Sequence, residues 1–310
     1  MSLESRKKAF DLLSSRFECE RPAPLLSVHK IQSALFSRLQ IATALYLSKC
    51  LGQNEFILNE NELLERIDRR VEKIQNITPN GMVVPKRNTI LEYNLIVQTF
   101  SSIIRTLGID DLISSWHVPL NVRIKFGEAS EGNLKRHHPT EHIHSDSWAG
   151  ESSESVTTML MILGDIPKNH VAFYDPPDDF QEEWLGPRPT YLDGKIVADR
   201  YSKIDLMPEK GDLLISDFAS LHASSRLPGA KSRVTIDTTF VLKKPDDHRV
   251  AENIHEWRAG ERASPHVLDK LGAESIFFFP DKPSQHVDSQ GGFKHPTNLM
   301  VIPFPLSEPH

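Results

Sequence analysis

The sequence predicts an α+β chain with an N-terminal helical region, a β-rich core and a C-terminal extension. Two changes of texture along its 310 residues carry that reading. Apolar residues recur at helical spacing as far as about residue 110, and short β-rich runs separated by turn residues fill 117–242. Composition is the third observation: 39% hydrophobic and 25% charged residues are the make-up of a folded globular chain rather than a disordered one.

In the N-terminal region, 1–116, Pro22 and Pro24 separate a short first helix from a longer one around 28–51. Between Asn61 and Ile74 the residues Leu63, Leu64, Ile67, Val71 and Ile74 share one helical face, with charges between them. Thr89 followed by Glu92 is a capping-box pattern ahead of Leu91, Leu95, Ile96, Phe100, Ile103 and Ile104. These helices are expected to cover a sheet and are assigned no chemistry. In the core, 117–242, strands are predicted over 118–126, 155–163, 170–174, 211–218 and 232–242, which suits a sandwich or barrel, jelly roll included. A stretch rich in Asp, Glu, Pro and Trp, 176–194, reads as an insertion loop. Residues 243–310 are polar, with a helix expected near 250–272, and are read as an extension capping the barrel mouth.

Charge and cysteine usage exclude several classes. Lys and Arg number 36 against 42 Asp and Glu, a net charge of −6, whereas nucleic-acid binders and polybasic membrane-surface proteins are usually basic. Cys19 and Cys50 belong to no CxxC pair, so neither a zinc site nor a disulfide framework is expected. The opening MSLESRKKAFDLLSS lacks the apolar core of a signal peptide. No apolar run approaches the roughly 18–20 residues of a membrane helix. The expectation is a soluble, cytoplasmic protein.

The residues with chemical potential lie in 141–148 and 217–240. His144 and Asp146 are two apart, and on a strand or strand end such residues share a face, roughly 6.6–6.8 Å apart at the backbone. His222 follows 78 residues later and can complete a set of two imidazoles and one carboxylate. Such a set occupies one face of an octahedral ion and leaves the opposite face open, as in non-haem Fe(II) oxygenases. A second His-x-Asp pair, His286 and Asp288, has too little chain after it for further core strands. Arg233 stands a further 11 residues beyond His222 and opens a strand on which Arg233 and Thr235 share a face, a guanidinium and a hydroxyl suited to gripping a carboxylate.

The run His-Ser-Asp at 144–146, the distal His222 and Arg233 together resemble the Fe(II)/2-oxoglutarate-dependent oxygenase superfamily, nearest the phytanoyl-CoA dioxygenase-like small-molecule hydroxylases. The resemblance covers about 117–242 and implies a double-stranded β-helix (jelly-roll) core. It implies that His144, Asp146 and His222 hold Fe(II) and are the catalytic set, that Arg233 binds the far carboxylate of 2-oxoglutarate, and that Thr235 assists. It also implies O2 as the oxidant, with succinate and CO2 as co-products. Thr239 stands where the nucleic-acid demethylating branch carries a second Arg, so that branch is set aside.

Alternatives stay open at this level. His142 shares a face with His144 and could replace Asp146 in a cupin-like metal-binding barrel, an isomerase or a binding protein without 2-oxoglutarate. Arg233 could pair with Asp217 or Asp212 as a structural ion pair. Arg226, four residues after His222, is a rival carboxylate binder read as lying in a loop. Thr157 and Arg123 are further candidates for the cofactor site, Arg123 sharing a strand face with Lys125. Trp148 reads as a packing aromatic or a substrate wall, and the run at 135–138 as a solvated loop. The acidic residues and Trp184 of 176–194 suggest a lid for a cationic or polyhydroxylated substrate. The expected partner is a small-molecule substrate, with no nucleic acid and no membrane, and a homo-oligomer is left open.

Overall fold

The computed structural model describes residues 1–52, 56–69, 74, 76–78, 80–117, 120–128 and 137–243, together with the strand backbones at 262–263, 275–278 and 300–303. The sequence-predicted pair His286 and Asp288 lies outside the described residues. Helix α1 (Leu3–Ser14) starts where the Ser2 hydroxyl accepts the Ser5 N–H at 3.2 Å. Helices α2 (Ser33–Cys50), α3 (Glu60–Arg69) and α4 (Ile90–Leu107) follow, and Gly108 at φ 65° closes α4 in the left-handed conformation. Thr89 makes no side-chain cap bond to α4. Its hydroxyl instead takes the Lys86 N–H at 3.0 Å, so the expected capping box is absent.

The N-terminal region is less helical than expected. Between α1 and α2 the chain forms β1 (Glu20–Ala23) and β2 (Leu26–Lys30), a hairpin that joins the main sheet. Pro22 is accommodated because β1 is the edge strand, where a missing N–H costs no ladder bond. Two further strands, β3 (Met82–Val83) and β4 (Ile113–His117), precede the core strands β5 (Asn121–Lys125), β6 (Ser155–Gly164), β7 (Asn169–Asp175), β8 (Ser202–Lys203), β9 (Asp212–Asp217), β10 (Leu221–Arg226) and β11 (Arg233–Leu242). Arg226 therefore ends a strand rather than lying in a loop. Within the expected helix at 250–272, the described pair Arg262–Ala263 is a strand, β12, paired with β4.

The described strands form two antiparallel sheets and a separate two-stranded pair, Ser275–Phe278 with Met300–Pro303. The larger sheet runs β1-β2-β9-β6-β11-β4-β12, with β5 also on β11 and β3 on β5; the smaller is β10-β7-β8. Strand alternation sorts the faces of the larger sheet. Leu160, Ile162, Leu213, Ile215, Val234 and Ile236 join one core cluster with Leu39, Tyr46, Ile96, Val97 and Phe100 of α2 and α4. Each fully buried side chain of this size contributes about 1.5–3 kcal/mol. Met159, Met161 and Leu214, on the opposite face, pack instead with Val171, Phe173 and Ile204 of the smaller sheet and its surroundings. The helices thus occupy one face, and between the sheets this second apolar cluster lies alongside the buried polar residues of β5 and β11.

Arg6 ties α1 to three distant segments although it is only 1% exposed. Its guanidinium reaches Asp217 at 2.9 Å, Glu182 at 2.6 Å and the Ser153 carbonyl at 2.9 Å. Asp217 is therefore taken by Arg6, while Asp212 pairs with Lys30 at 2.9 Å. Neither is the partner of Arg233. No described helix is long and apolar enough to cross a membrane.

Gly164 fixes how β6 meets β11. Its φ is +95°, and a Cβ there would sit 2.2 Å from the Ser232 carbonyl oxygen and 2.7 Å from the Arg233 Cα. Gly164→Ala should cost about 2 kcal/mol and lower Tm by roughly 3 °C. Gly52→Ala, at φ +66° with nothing within 4 Å, should cost clearly less. Thermal unfolding of both variants checks this; equal losses would mean that close approach to β11 is not what demands glycine.

Candidate metal centre

Two main-chain hydrogen bonds set the centre's geometry. The His144 N–H donates to the His222 carbonyl at 3.0 Å and the His222 N–H to the His144 carbonyl at 2.8 Å, an isolated antiparallel bridge. Residues paired in this way project to the same side, and the two imidazole centroids are 4.3 Å apart. Beyond the bridge, Ser145 is extended (φ −104°, ψ 144°) and its hydroxyl donates to the Phe218 carbonyl at 3.0 Å. A 3₁₀ turn, Asp146–Ala149, begins at the next residue. His144 and Asp146 therefore straddle a strand end rather than sharing a strand. The Asp146 carboxylate lies 3.5 Å from His144 Nε2 and 3.8 Å from His222 Nε2. One ligand atom from each of the three residues lies within 4.8 Å of the others.

The surroundings prepare these atoms for a cation. His144 Nδ1 is 2.7 Å from the His142 carbonyl. A carbonyl only accepts, so Nδ1 carries the proton and Nε2 presents its lone pair. That Nε2 is buried with no hydrogen-bond partner. A buried polar atom without a partner is costly, and an ion between the three residues would satisfy it. His142 supplies only this carbonyl, and its ring is not in the cluster, so the register that pairs His142 with His144 is not the one formed. Burial pushes the His222 imidazole down to about 4, helped by the neighbouring His144 and opposed by Asp146. Burial acts to raise the Asp146 carboxyl, but the adjacent His222 and His144 imidazoles and the Arg123 guanidinium outweigh it and hold the carboxyl well below its ordinary range. Asp146 is the open side of the cluster, its side chain 30% exposed against 0% for His144.

Inward-facing residues of β5 and β11 form a second cluster. Cross-strand partners are Lys125 with Arg233, Arg123 with Thr235, and Asn121 with Asp237. Arg233 is 1% exposed and makes no ion pair with a carboxylate among the described residues. Its Nε donates to Asn169 Oδ1 at 3.1 Å, while one terminal nitrogen, Nη1, is buried without a partner. Burial, helped by Arg226 and Arg123 and opposed by Asp237, pushes the guanidinium down to about 9, which still leaves it charged at neutral pH. Thr235 is buried on the same face.

Other sequence-predicted residues are placed differently. Arg123 is committed to Asp237, with Nε and Nη2 at 2.9 and 2.8 Å from its two oxygens. It therefore lacks the free fork a co-substrate carboxylate would need. Arg226 binds Glu141 at 3.1 Å and the Phe126 carbonyl at 2.8 Å. Thr157 pairs with Ser216 and Thr239, whereas Arg233 pairs with Gly164. Seven residues of β6, roughly 20 Å of strand, separate Thr157 from the guanidinium's rung, so it is not brought to Arg233. Trp148 is wholly buried and donates to the Trp184 carbonyl at 2.7 Å, which makes it a packing aromatic.

No protein-family model matches this chain, and no curated protein does. Among solved structures it is similar to a novel N-substituted L-amino acid dioxygenase from Burkholderia ambifaria AMMD, at 14% identity and TM-score 0.37 over 77% of this chain and 89% of that one. It is also similar to SnoN, a non-heme alpha ketoglutarate dependent epimerase from nogalamycin biosynthesis, at 9% identity and TM-score 0.40 over 77% and 83%. A third is AviO1 from Streptomyces viridochromogenes Tue57, at 12% identity and TM-score 0.41 over 81% and 100%. Two of these neighbours bind alpha-ketoglutarate.

Several site residues lay beyond sequence reasoning. Tyr191, inside the 176–194 insertion, stacks on the His144 ring with centroids 4.0 Å apart and planes at 20°. Its N–H donates to the His137 carbonyl, and His138 packs edge-on against it at 4.8 Å, so the described end of the 135–138 run is not merely solvated. Asn169 lies one residue ahead of the strand the sequence predicts at 170–174. Inward alternation from Phe173 back through Val171 reaches it.

His222 makes the metal-free protein's stability depend on pH, alongside His170, whose imidazole burial also pushes down. The unfolded chain takes up a proton as pH falls through about 6.5, while the folded His222 does not until about 4. Stability should therefore fall across that window, by about 2 kcal/mol between pH 7 and pH 5. The depressed Asp146 carboxyl gives up its contribution in a separate window, below its unfolded value of about 3.9. Urea unfolding of metal-free wild type and His222→Asn at both pH values checks this. An undiminished pH 7-to-5 loss in the variant would show that His222 is not the group responsible.

Proposed function

We propose that this chain is an Fe(II)- and 2-oxoglutarate-dependent oxygenase with a jelly-roll core, hydroxylating a small polar metabolite. The observation that carries the reading is Arg233. A buried cation with an unpartnered donor is expensive to maintain, and Asp217, Asp212 and Asp237 are already held by Arg6, Lys30 and Arg123. A metal barrel alone has no use for such a group. A dicarboxylate co-substrate does, because one carboxylate can meet Arg233 while its other end meets the metal.

In this reading His144 and His222 hold iron through Nε2 and Asp146 through a carboxylate oxygen. Bound iron and 2-oxoglutarate supply the oxidising chemistry, with O2 consumed and succinate and CO2 released. The chain's own part is positioning. The His142 carbonyl fixes the His144 tautomer, and the paired backbones of residues 144 and 222 fix the two rings opposite each other. Tyr191 covers one face of the His144 ring and keeps water from it. Arg233 holds the far carboxylate, with Thr235 beside it. The His222 rung on β7 is Phe173 and the partner of Arg233 is Asn169, four residues or roughly 13 Å apart along the strand. The Arg233 side chain, a five-carbon dicarboxylate and the His222 side chain together span that interval. The substrate approaches from the side of Asp146, where the Arg123–Asp237 pair provides a polar rim. The insertion at 176–194 acts there as a wall through Tyr191.

Arg233→Ala should weaken 2-oxoglutarate binding by roughly 10²–10³-fold, because two charge-assisted hydrogen bonds and a buried counter-charge are lost. Arg233→Lys should recover part of the loss, since it keeps the charge without the fork. Fe(II) affinity should stay unchanged in both, whereas His144→Ala, Asp146→Ala or His222→Ala should each abolish it. The measurement is an anaerobic titration of the Fe(II) protein with 2-oxoglutarate, followed by the weak visible band of the chelate. Equal 2-oxoglutarate affinity in wild type and both Arg233 variants would overturn the reading.

A further inference from the structure

We propose that Asn169 is a positioning residue that aims the Arg233 guanidinium at the co-substrate and leaves its charge unspent, an inference that rests on the oxygenase reading. Asn169 is wholly buried at the start of β7. Its side chain meets four groups: Arg233 Nε at 3.1 Å, the Lys125 and Lys231 carbonyls at 2.9 and 3.0 Å, and the Phe126 carbonyl at 3.4 Å. Only one orientation of the amide suits all four. An arginine Nε–H must find an acceptor and carbonyls must find donors, so the oxygen faces Arg233 and the amino group faces the main chain. Lys125 ends β5 and Lys231 stands two residues before Arg233, so the amide is anchored to the main chain at the end of β5 and just ahead of β11.

The choice of an amide matters electrostatically. A carboxylate at this position would make Arg233 one half of an ion pair, as Asp237 does for Arg123 and Asp217 for Arg6. It would also confront three carbonyl oxygens. The neutral amide fixes Nε, and with it the plane of the fork, but supplies no counter-charge. The buried Nη1 is then left for a carboxylate that arrives from outside. The other carboxylate of this neighbourhood, Glu141, lies 3.1 Å from Arg226 and 3.9 Å from Lys125. Because the guanidinium plane fixes where the far carboxylate must sit, Asn169 also governs which length of 2-oxo dicarboxylate is accepted.

The test is calorimetric titration of the full-length Mn(II)-loaded protein with 2-oxoglutarate and with 2-oxoadipate, one carbon longer. Asn169→Ala should weaken 2-oxoglutarate binding roughly 10–30-fold and narrow the preference over 2-oxoadipate, with Mn(II) affinity unchanged. Asn169→Asp, which supplies a competing carboxylate, should weaken it at least about 100-fold. In an Arg233→Ala background the Asn169→Ala change should have no further effect on 2-oxoglutarate affinity. A second readout needs no ligand: the Arg233 Nε–H resonance should be protected from exchange in wild type and exposed in Asn169→Ala. Wild-type affinity in both Asn169 variants, or losses that simply add in the double variant, would overturn the proposal. If Asn169→Ala fails to fold, Asn169→Ser and the Asp variant decide it by the same criteria. A wild type with the protected resonance but no 2-oxoglutarate binding would sink the oxygenase reading and leave the Asn169–Arg233 tie standing.

Discussion

Register on one strand governs this molecule. β11 is hydrogen-bonded along β6 on one side and to β5 and β4 on the other, so it cannot slide without breaking both ladders. Its alternate residues do opposite work. Val234 and Ile236 enter the apolar layer under the helices, while Arg233, Thr235 and Asp237 face the interior between the sheets. A slip of one residue would drive a guanidinium into the helical core and two aliphatic side chains into the polar interior, a change no local rearrangement could offset. A register shift between Val234 and Thr235, where β6 carries one more residue than β11, lies directly beside the inward-facing threonine. The left-handed Gly164 allows the two backbones to close up at the Arg233 rung.

The second organising element is the pairing of residues 144 and 222. It joins a loop that follows β5 to the strand that follows β9, and a carboxylate from the next turn completes the cluster. The N-terminal helix is drawn into this assembly through Arg6. That residue links α1 to Asp217, which lies five residues before His222, and to Glu182 in the insertion that carries Tyr191. Helices given no chemistry by the sequence thus help to hold two walls of the site.

What the sequence disclosed and what it hid divide along one physical line. His144, Asp146, His222 and Arg233 could be picked out because ligand chemistry and same-face alternation are local properties, readable from spacing. The core strands β5, β6, β7, β9 and β11 were legible for the same reason, to within a few residues, whereas β8 and β10 were not. Pairing across the sheet is not local. Arg123 and Lys125 were rightly placed on one face, but the commitment of Arg123 to Asp237 depends on the β5–β11 register, more than a hundred residues away along the chain. The β1–β2 hairpin was hidden because Pro22 reads as a breaker unless the strand is known to lie at an edge. Thr89 and Glu92 match a capping pattern, yet the Thr89 hydroxyl is spent on Lys86. Tyr191 gave no signal at all, since its role comes from the folding of an acidic insertion back over the His144 ring.

The carbonyl of His142 has one more implication. The group that fixes the protonation of the His144 ring belongs to the main chain, so no side-chain substitution at position 142 can delete it. Only a change in the path of the backbone could do so, and the short turn from Pro139 to His142, with its 3.1 Å hydrogen bond, holds that path. The tautomer of a candidate ligand is in this way insulated from mutational drift at the neighbouring position, and residue 142 is free to vary in identity while its peptide group keeps the same role.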